Sequence, residues 1–359
     1  MKAKALAAAA AAAVSVLLGG GIVVQALRVS PVAFDITTSA GASSTFSFRA
    51  INDESQPLRF RVEVCDWVRD LYGTNLFCEA AGEVPRSASA WIEVVPRQFR
   101  LEPDEAQDLR VTLRVPEAAP DGTPLEGSYW TAVMVEAVPE EAGGEPPGTE
   151  VVVKRRFGVK VLVTLAGTGR RDGQILLLER HGLNPLGVSL EFANRGTLNL
   201  PSVSGRIEVR DVAGTVWERI PVDPFPLLPG YVRRVTVQSA RPRGKRLPPG
   251  DYALLAVLDY GGDVLVGAQL LLRVPELRLV PLAAEAQTPQ DLDGDGFYED
   301  VTGDGSLTED DPVLLGAALE SEAVQQNWPA FDFDNDGDVD FDDVLALDAL
   351  RNPPDGSDE

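Results

Sequence analysis

The stretch 107-QDLRVTLRV-115 decides how most of this chain folds. Leu109, Val111, Leu113 and Val115 alternate with Arg110, Thr112 and Arg114. A period of two puts apolar side chains on one face of a strand and polar ones on the other, which suits an antiparallel sheet packed on one side only. Runs with the same habit lie on either side: 45-TFSFRAIN-52, 58-LRFRVEV-64, 91-WIEVV-95 and 129-YWTAVMVE-136. They are short and separated by Gly, Pro, Asn and Asp, with no helix-length periodic segment between them, as in a β-sandwich. A second series, 186-LGVSLEFANRG-196, 203-VSGRIEVRD-211, 231-YVRRVTVQ-238, 250-GDYALLAVLDYGG-262 and 264-VLVGAQLLLRV-274, predicts another β-rich unit.

The chemistry-bearing pattern lies further on. In 300-DVTGDGSLTEDD-311 and 332-DFDNDGDVDFDD-343, oxygen-bearing side chains fall at loop positions 1, 3, 5, 9 and 12, with glycine at position 6. Calcium takes six to eight hard oxygen ligands, and a twelve-residue loop encircles it only if the chain turns sharply at its middle. The first loop offers Asp300, Thr302, Asp304, Thr308 and Asp311, with the Ser306 carbonyl at position 7. The second offers Asp332, Asp334, Asp336, Asp340 and Asp343, with the Asp338 carbonyl. Leu307 and Val339 sit at position 8, where paired loops pack on each other, and apolar helical segments follow both loops. The bland alternative is an acidic solubilising tail.

Segment 291–352 resembles a type I dockerin, a duplicated calcium loop-plus-helix module that plugs into a cohesin partner. As in dockerins, Asp rather than Glu stands at position 12, and no helix enters the first loop. The chain departs from the best-known dockerins at positions 10 and 11, where Glu309 with Asp310 and Phe341 with Asp342 replace small hydroxyl residues. The preceding 291-DLDGDG-296 leaves open a third ion at Asp291, Asp293 and Asp295.

The order of motifs in the first unit carries a second resemblance. It runs 31-PVAFDI-36, the 51-INDESQP-57 turn, Asp66-Trp67, 88-ASAWIEVVPRQFRLEPDEAQDLRVTL-113, 127-GSYWTAVMVE-136 and 151-VVVKRRFGVKVLVTL-165. This order is similar to the N-terminal domain of the periplasmic pilus-chaperone family. The resemblance implies an immunoglobulin-type sandwich whose last strand completes an incomplete subunit by β-strand addition. It implies that Lys160 anchors the subunit's terminal carboxylate, with Phe157, Val159 and Val161 as partner-binding residues. The arginine that the family places in its first strand falls on Pro31, with Arg28 three residues earlier. Alternatively the strand closes its own domain. The phrase 250-GDYALLAVLDY-260 and the Asn194-Arg195-Gly196 turn resemble a second immunoglobulin-type sandwich.

The expected organisation is therefore mainly β. A signal peptide (1–26) precedes two immunoglobulin-like sandwiches (27–167 and 168–275), a linker (276–290), an EF-hand-like calcium module with small α-helices (291–352) and an acidic tail (353–359). Lys2 and Lys4, the apolar run 5–24 and Val24-Gln25-Ala26 read as a cleaved export signal, with a retained membrane anchor as the rival. In an exported chain the only two cysteines, Cys65 and Cys78, are expected to pair. Net charge is −23, but residues 285–359 hold 23 acidic residues against Arg351 alone, so the acidity belongs to the last module.

Catalysis finds little support. There is one histidine, His181, read as a surface loop residue, and neither a nucleophile elbow nor a phosphate-binding glycine loop. The sequence predicts a non-catalytic protein at the cell surface, in the periplasm or outside the cell. It would use two or three calcium ions, with a cohesin-like or scaffold partner on the calcium module and a pilus-like subunit on the first sandwich. The other reading is a structural or glycan-binding component of a polysaccharide-degrading complex. Neither nucleic acid nor a membrane span after cleavage enters these expectations.

Overall fold

The computed structural model describes residues 27–78, 84–138 and 155–351. The expected export segment 1–26, expected loop at 139–150 and expected tail 353–359 lie outside the described residues, as do the first four positions of the expected strand 151–165. Among the described residues no helix is long and apolar enough to cross a membrane.

Eleven strands build the first unit: β1 (Leu27–Ser30), β2 (Ala33–Thr38), β3 (Ser43–Asn52), β4 (Leu58–Cys65), β5 (Trp67–Arg69), β6 (Asn75–Phe77), β7 (Ile92–Val95), β8 (Gln98–Leu101), β9 (Ala106–Arg114), β10 (Ser128–Val138) and β11 (Arg155–Leu165). They form two facing sheets in the orders β1-β3-β9-β7 and β2-β11-β10-β4-β8, with β5 and β6 as a side hairpin. This is the immunoglobulin arrangement, in which the first strand is shared between sheets. β1 pairs antiparallel with β3, the chain crosses at Pro31, which has no N–H to continue the ladder, and β2 then pairs parallel with β11. The alternation in 107–115 resolves as expected: Leu109, Val111, Leu113 and Val115 are buried, and they meet Phe48, Phe60, Val133 and Val161 in one core.

The second unit contains β12 (Gly173–Leu183), β13 (Leu186–Asn194), β14 (Leu200–Asp211), β15 (Val216–Leu227), β16 (Val232–Gln238), β17 (Gly250–Asp259) and β18 (Val266–Val274). Sheets β12-β13-β16 and β15-β14-β17-β18 enclose Leu190, Phe192, Ile207 and Leu254. Seven antiparallel strands in this order are again an immunoglobulin-type sandwich. One polar group inside its sheet is neutralised by design: Glu208, 3 % exposed, takes the guanidinium groups of Arg206 at 2.7 Å, Arg210 at 2.9 Å and Arg219 at 3.3 Å.

A small core joins the two sandwiches. Trp67, Trp130 and Met134 from the first pack on Leu228 and Tyr231 of the second. The Trp130 indole N–H donates to the Trp67 carbonyl at 2.8 Å, and that of Trp67 to Thr131 at 3.1 Å, so both large side chains are buried with their polar edges satisfied. Cys65 and Cys78 form a disulfide that closes the β5–β6 hairpin against this core.

Residues 276–351 form a small helical module with α1 (Asp310–Ala318), α2 (Glu322–Gln325) and α3 (Phe341–Arg351) around Val301, Leu315, Val324, Phe331 and Leu347. The stretch 276–290, read from sequence as a linker with a flexible end, is instead part of this body. Leu277, Leu279 and Leu282 pack on the helical core, Gln287 donates its backbone N–H to Thr302 at 2.7 Å, and Gln290 and Asp300 exchange backbone hydrogen bonds. Leu277, Leu279 and Leu282 are too apolar to leave in water once a partner surface is nearby.

Candidate functional site

Two places gather chemistry. The first is the row of acidic turns in the helical module. Among the described residues, three carboxylates converge to within 4.8 Å of one another twice: Asp332 with Asp334 and Asp343, and Asp291 with Asp293 and Glu299. The second loop turns at Gly337, whose φ of 111° only glycine adopts without strain. Asp332 and Asp343 are 1 % exposed, and Asp343 spans the loop by accepting from Asp334 N at 3.3 Å and Asp340 N at 2.8 Å. Asp336 and Asp340 each accept a backbone N–H two residues on, from Asp338 and Asp342. Burial, with its like-charged neighbours adding, pushes the Asp332 carboxyl up to about 7, and burial pushes Asp343 to about 6. No cationic side chain among the described residues forms an ion pair with Asp332, Asp334 or Asp343. The trio can therefore hold a hard divalent cation.

In the first loop, fully buried Asp300 accepts from the N–H groups of Gly303 at 2.7 Å, Asp304 at 3.0 Å and Gly305 at 2.7 Å. Asp311 accepts from Thr302 N and Thr308 N, the hydroxyls of Thr302 and Thr308 face Asp300 and Asp311, and Ser306 N donates to Asp304. These acids are gathered less closely than those of the second loop. In the stretch before it, Asp295 is drawn to Arg243 at 3.6 Å, and the third converging member is Glu299, a residue the sequence reading passed over. Glu299 lies at position 9 of a loop counted from Asp291, and that count could have found it.

The turns do not stand free. Asn335, at position 4 of the second loop with φ 59°, accepts from Gly182 N with its carbonyl and from Asn184 N with Oδ1, both at 3.0 Å, and donates to the Pro185 carbonyl. Arg180 donates to the Gly337 carbonyl at 3.2 Å and stacks 4.6 Å from the Trp328 ring. A Cβ at Gly182 would collide with the Asn335 amide, so the close approach requires glycine there. His181 is accordingly not a surface loop residue: it lies within β12, half-buried, with Nε2 2.6 Å from the Ser189 hydroxyl.

The second place is the junction of the two sandwiches. Lys160 Nζ lies 5.3 Å from the Trp67 ring centroid, and the Arg69 guanidinium 5.5 Å from the same ring. Arg69 is steered there by its bonds to Asn75 at 3.0 Å and the Pro226 carbonyl at 2.9 Å. Burial and then the positive charge of Arg69 lower the pKa of Lys160, and burial and then the charge of Arg233 lower that of Arg69. Neither pairs with a carboxylate among the described residues. Arg28 is elsewhere, exposed on the other sheet and 3.6 Å from Asp53.

The edge of β11 is half covered. β2 pairs with it only from Lys160 onward, so residues 155–159 have β10 on one side and no described strand on the other. Val159 and Val161, expected to touch a partner, are fully buried in the domain's own core, because their side chains follow the inward face of the pleat. Phe157 is half-buried against the same core. Lys160 is half-buried.

No protein-family profile and no curated protein matches the chain. Solved structures that it resembles include the class 5 fimbriae chaperone CfaA (12 % identity over 70 % of this chain and 100 % of that one, TM-score 0.35). Others are the E. coli chaperone DraB (15 %, 68 % and 98 %, TM-score 0.33) and a chain of the Salmonella enterica SafA pilin–SafB chaperone complex (16 %, 68 % and 96 %, TM-score 0.32).

Proposed function

We propose that this chain is an exported, non-catalytic assembly factor that holds the C-terminal segment of a partner polypeptide at the junction of its two sandwiches. The observation that carries this reading is the pair Lys160 and Arg69 on one tryptophan, without carboxylate partners among the described residues, beside the half of β11 that pairs with no second strand among them. Two desolvated cations attract a carboxylate, and an open strand edge offers backbone hydrogen bonds to an extended chain. Arg69 takes the part for which the resemblance to pilus chaperones implies a first-strand arginine. The partner reaches the strand through its backbone, since Val159 and Val161 face inward.

The helical module binds two calcium ions in this reading, one in each twelve-residue loop. The second is supported by the converging carboxylates of buried Asp332 and Asp343 and exposed Asp334, which repel one another until a divalent cation sits between them. Val313, Phe341 and Leu345 stay exposed on α1 and α3 and give the module a surface for a scaffold partner.

The junction is tested with extended peptides of alternating apolar residues, ending either in a free carboxylate or in an amide, by fluorescence anisotropy. Losing one charge-assisted contact costs about 1.5–3 kcal/mol. Lys160→Ala and Arg69→Ala should each weaken the free-acid peptide roughly ten- to hundredfold and leave the amide unaffected. Equal binding of acid and amide by the unaltered protein refutes the reading.

A further inference from the structure

The turn that precedes the two calcium loops contains a buried oxygen with nothing to bond. Glu299 is 8 % exposed; its Oε1 accepts from Leu292 N at 3.0 Å, while Oε2 has no hydrogen-bond partner. An orphaned carboxylate oxygen in that position costs free energy unless something else meets it. Asp291 and Asp293 each bring a carboxylate oxygen to within 4.8 Å of an oxygen of this Glu299 carboxylate. Asp291 is itself fixed by Gly294 N at 2.7 Å and Gly296 N at 2.9 Å, so the chain is already wound around the point where the three acids meet.

The outer side of the same turn is the contact with the second sandwich. The Asn184 side chain donates to the Asp295 carbonyl at 2.7 Å and accepts from Gly244 N at 2.9 Å, tying the turn to the loop after β16. Arg246 donates to the Gly296 carbonyl, and Arg243 pairs with Asp295 at 3.6 Å. Both guanidinium groups lie within 6 Å of the Phe297 ring, which is 4 % exposed. Inner and outer contacts belong to one short turn, so whatever fixes its curvature also fixes the docking.

We infer that residues 291–299 form a third divalent-cation site, filled by calcium, in which Asp291, Asp293 and Glu299 supply carboxylate oxygens, and that this ion clamps the helical module to the second sandwich. All three ligands are hard anionic oxygens, which select calcium over softer metals. The site is independent of the two later loops.

Native mass spectrometry of the mature chain with added calcium chloride counts the ions. The unaltered protein should bind three. Glu299→Gln, which keeps the shape, and Asp293→Asn, which changes an exposed member, should each bind two, as should Asp332→Asn, and the double variant Asp332→Asn with Glu299→Gln should bind one. If Glu299→Gln and Asp293→Asn hold as many ions as the unaltered protein, the site is overturned. If one ion binds and only these two variants lose it, the site stands and the two-loop reading falls. The clamp is read separately by limited proteolysis at saturating calcium. Glu299→Gln should lose protection across 276–290, and unchanged protection overturns the clamping role.

Discussion

Replacing Asn335 by alanine should uncouple the helical module from the second sandwich, and the size of the effect follows from two hydrogen bonds and one backbone conformation. The side chain accepts from Asn184 N at 3.0 Å and donates to the Pro185 carbonyl at 3.0 Å, so its removal strands one donor and one acceptor in a partly buried interface. At about 1 kcal/mol each, these amount to roughly 2 kcal/mol. The backbone sits at φ 59°, where asparagine is tolerated and alanine loses about a further 1 kcal/mol. The sum, about 3 kcal/mol, should lower the melting temperature of a unit of this size by roughly 6–12 °C. Asn335→Gly separates the two causes, because glycine keeps the left-handed backbone and loses only the hydrogen bonds. It should fall short of the alanine variant by about a third. The assay is calorimetry of the mature chain at saturating calcium. The unaltered protein should show the sandwich and module melting together, with the module departing first in the alanine variant. Melting of both variants within about 1 °C of the unaltered protein would refute the reasoning.

Calcium removal should leave a module whose stability depends on pH in an unusual direction. Asp332 and Asp343 have folded-state values of about 7 and about 6, above the ordinary carboxylate range, so the stability they contribute is full in acid and is lost as pH rises through 6 and 7. In chelator the module should therefore melt higher at pH 5 than at pH 8; the same or the opposite order contradicts their burial. Glu208 behaves in the reverse sense: its carboxyl, held down to about 2 by Arg206 first and then Arg210 and Arg219, stabilises the fold above 4.5 and ceases to do so as pH falls through about 2. Glu208→Gln should lower the melting temperature at neutral pH and flatten that acid limb, as followed by circular dichroism. Replacing Cys65 and Cys78 together by serine should cost about 3 kcal/mol in chemical denaturation, the closure entropy of a loop of this length.

What the sequence made legible was local. The period of two in 107–115 located a strand and its buried face, and the glycine spacing at Gly305 and Gly337 located two turns with left-handed backbone. Contacts between residues far apart in the chain were not legible, because no local period records them. Arg69 meets Lys160 over Trp67 only after the hairpin folds beside β11, and Gly337 packs against the His181 backbone only after the module meets β12. The burial of Val159 and Val161 was hidden for a related reason. Alternation marks an apolar face, yet whether that face covers the domain's own core or a foreign chain depends on where the opposite sheet lies. The leucines at 277, 279 and 282 follow no single period, and they serve a helical body that appears later in the chain.

Because the module leans on the second sandwich through backbone carbonyls and guanidinium groups, the span between the sandwich junction and the module is set by a lever of fixed length and not by the statistics of a tether. Two cargoes gripped at its ends would meet at one separation and one angle. Lengthening residues 276–290 with a glycine-serine insert would then change the effective concentration of one cargo about the other far less than it would for beads on a string.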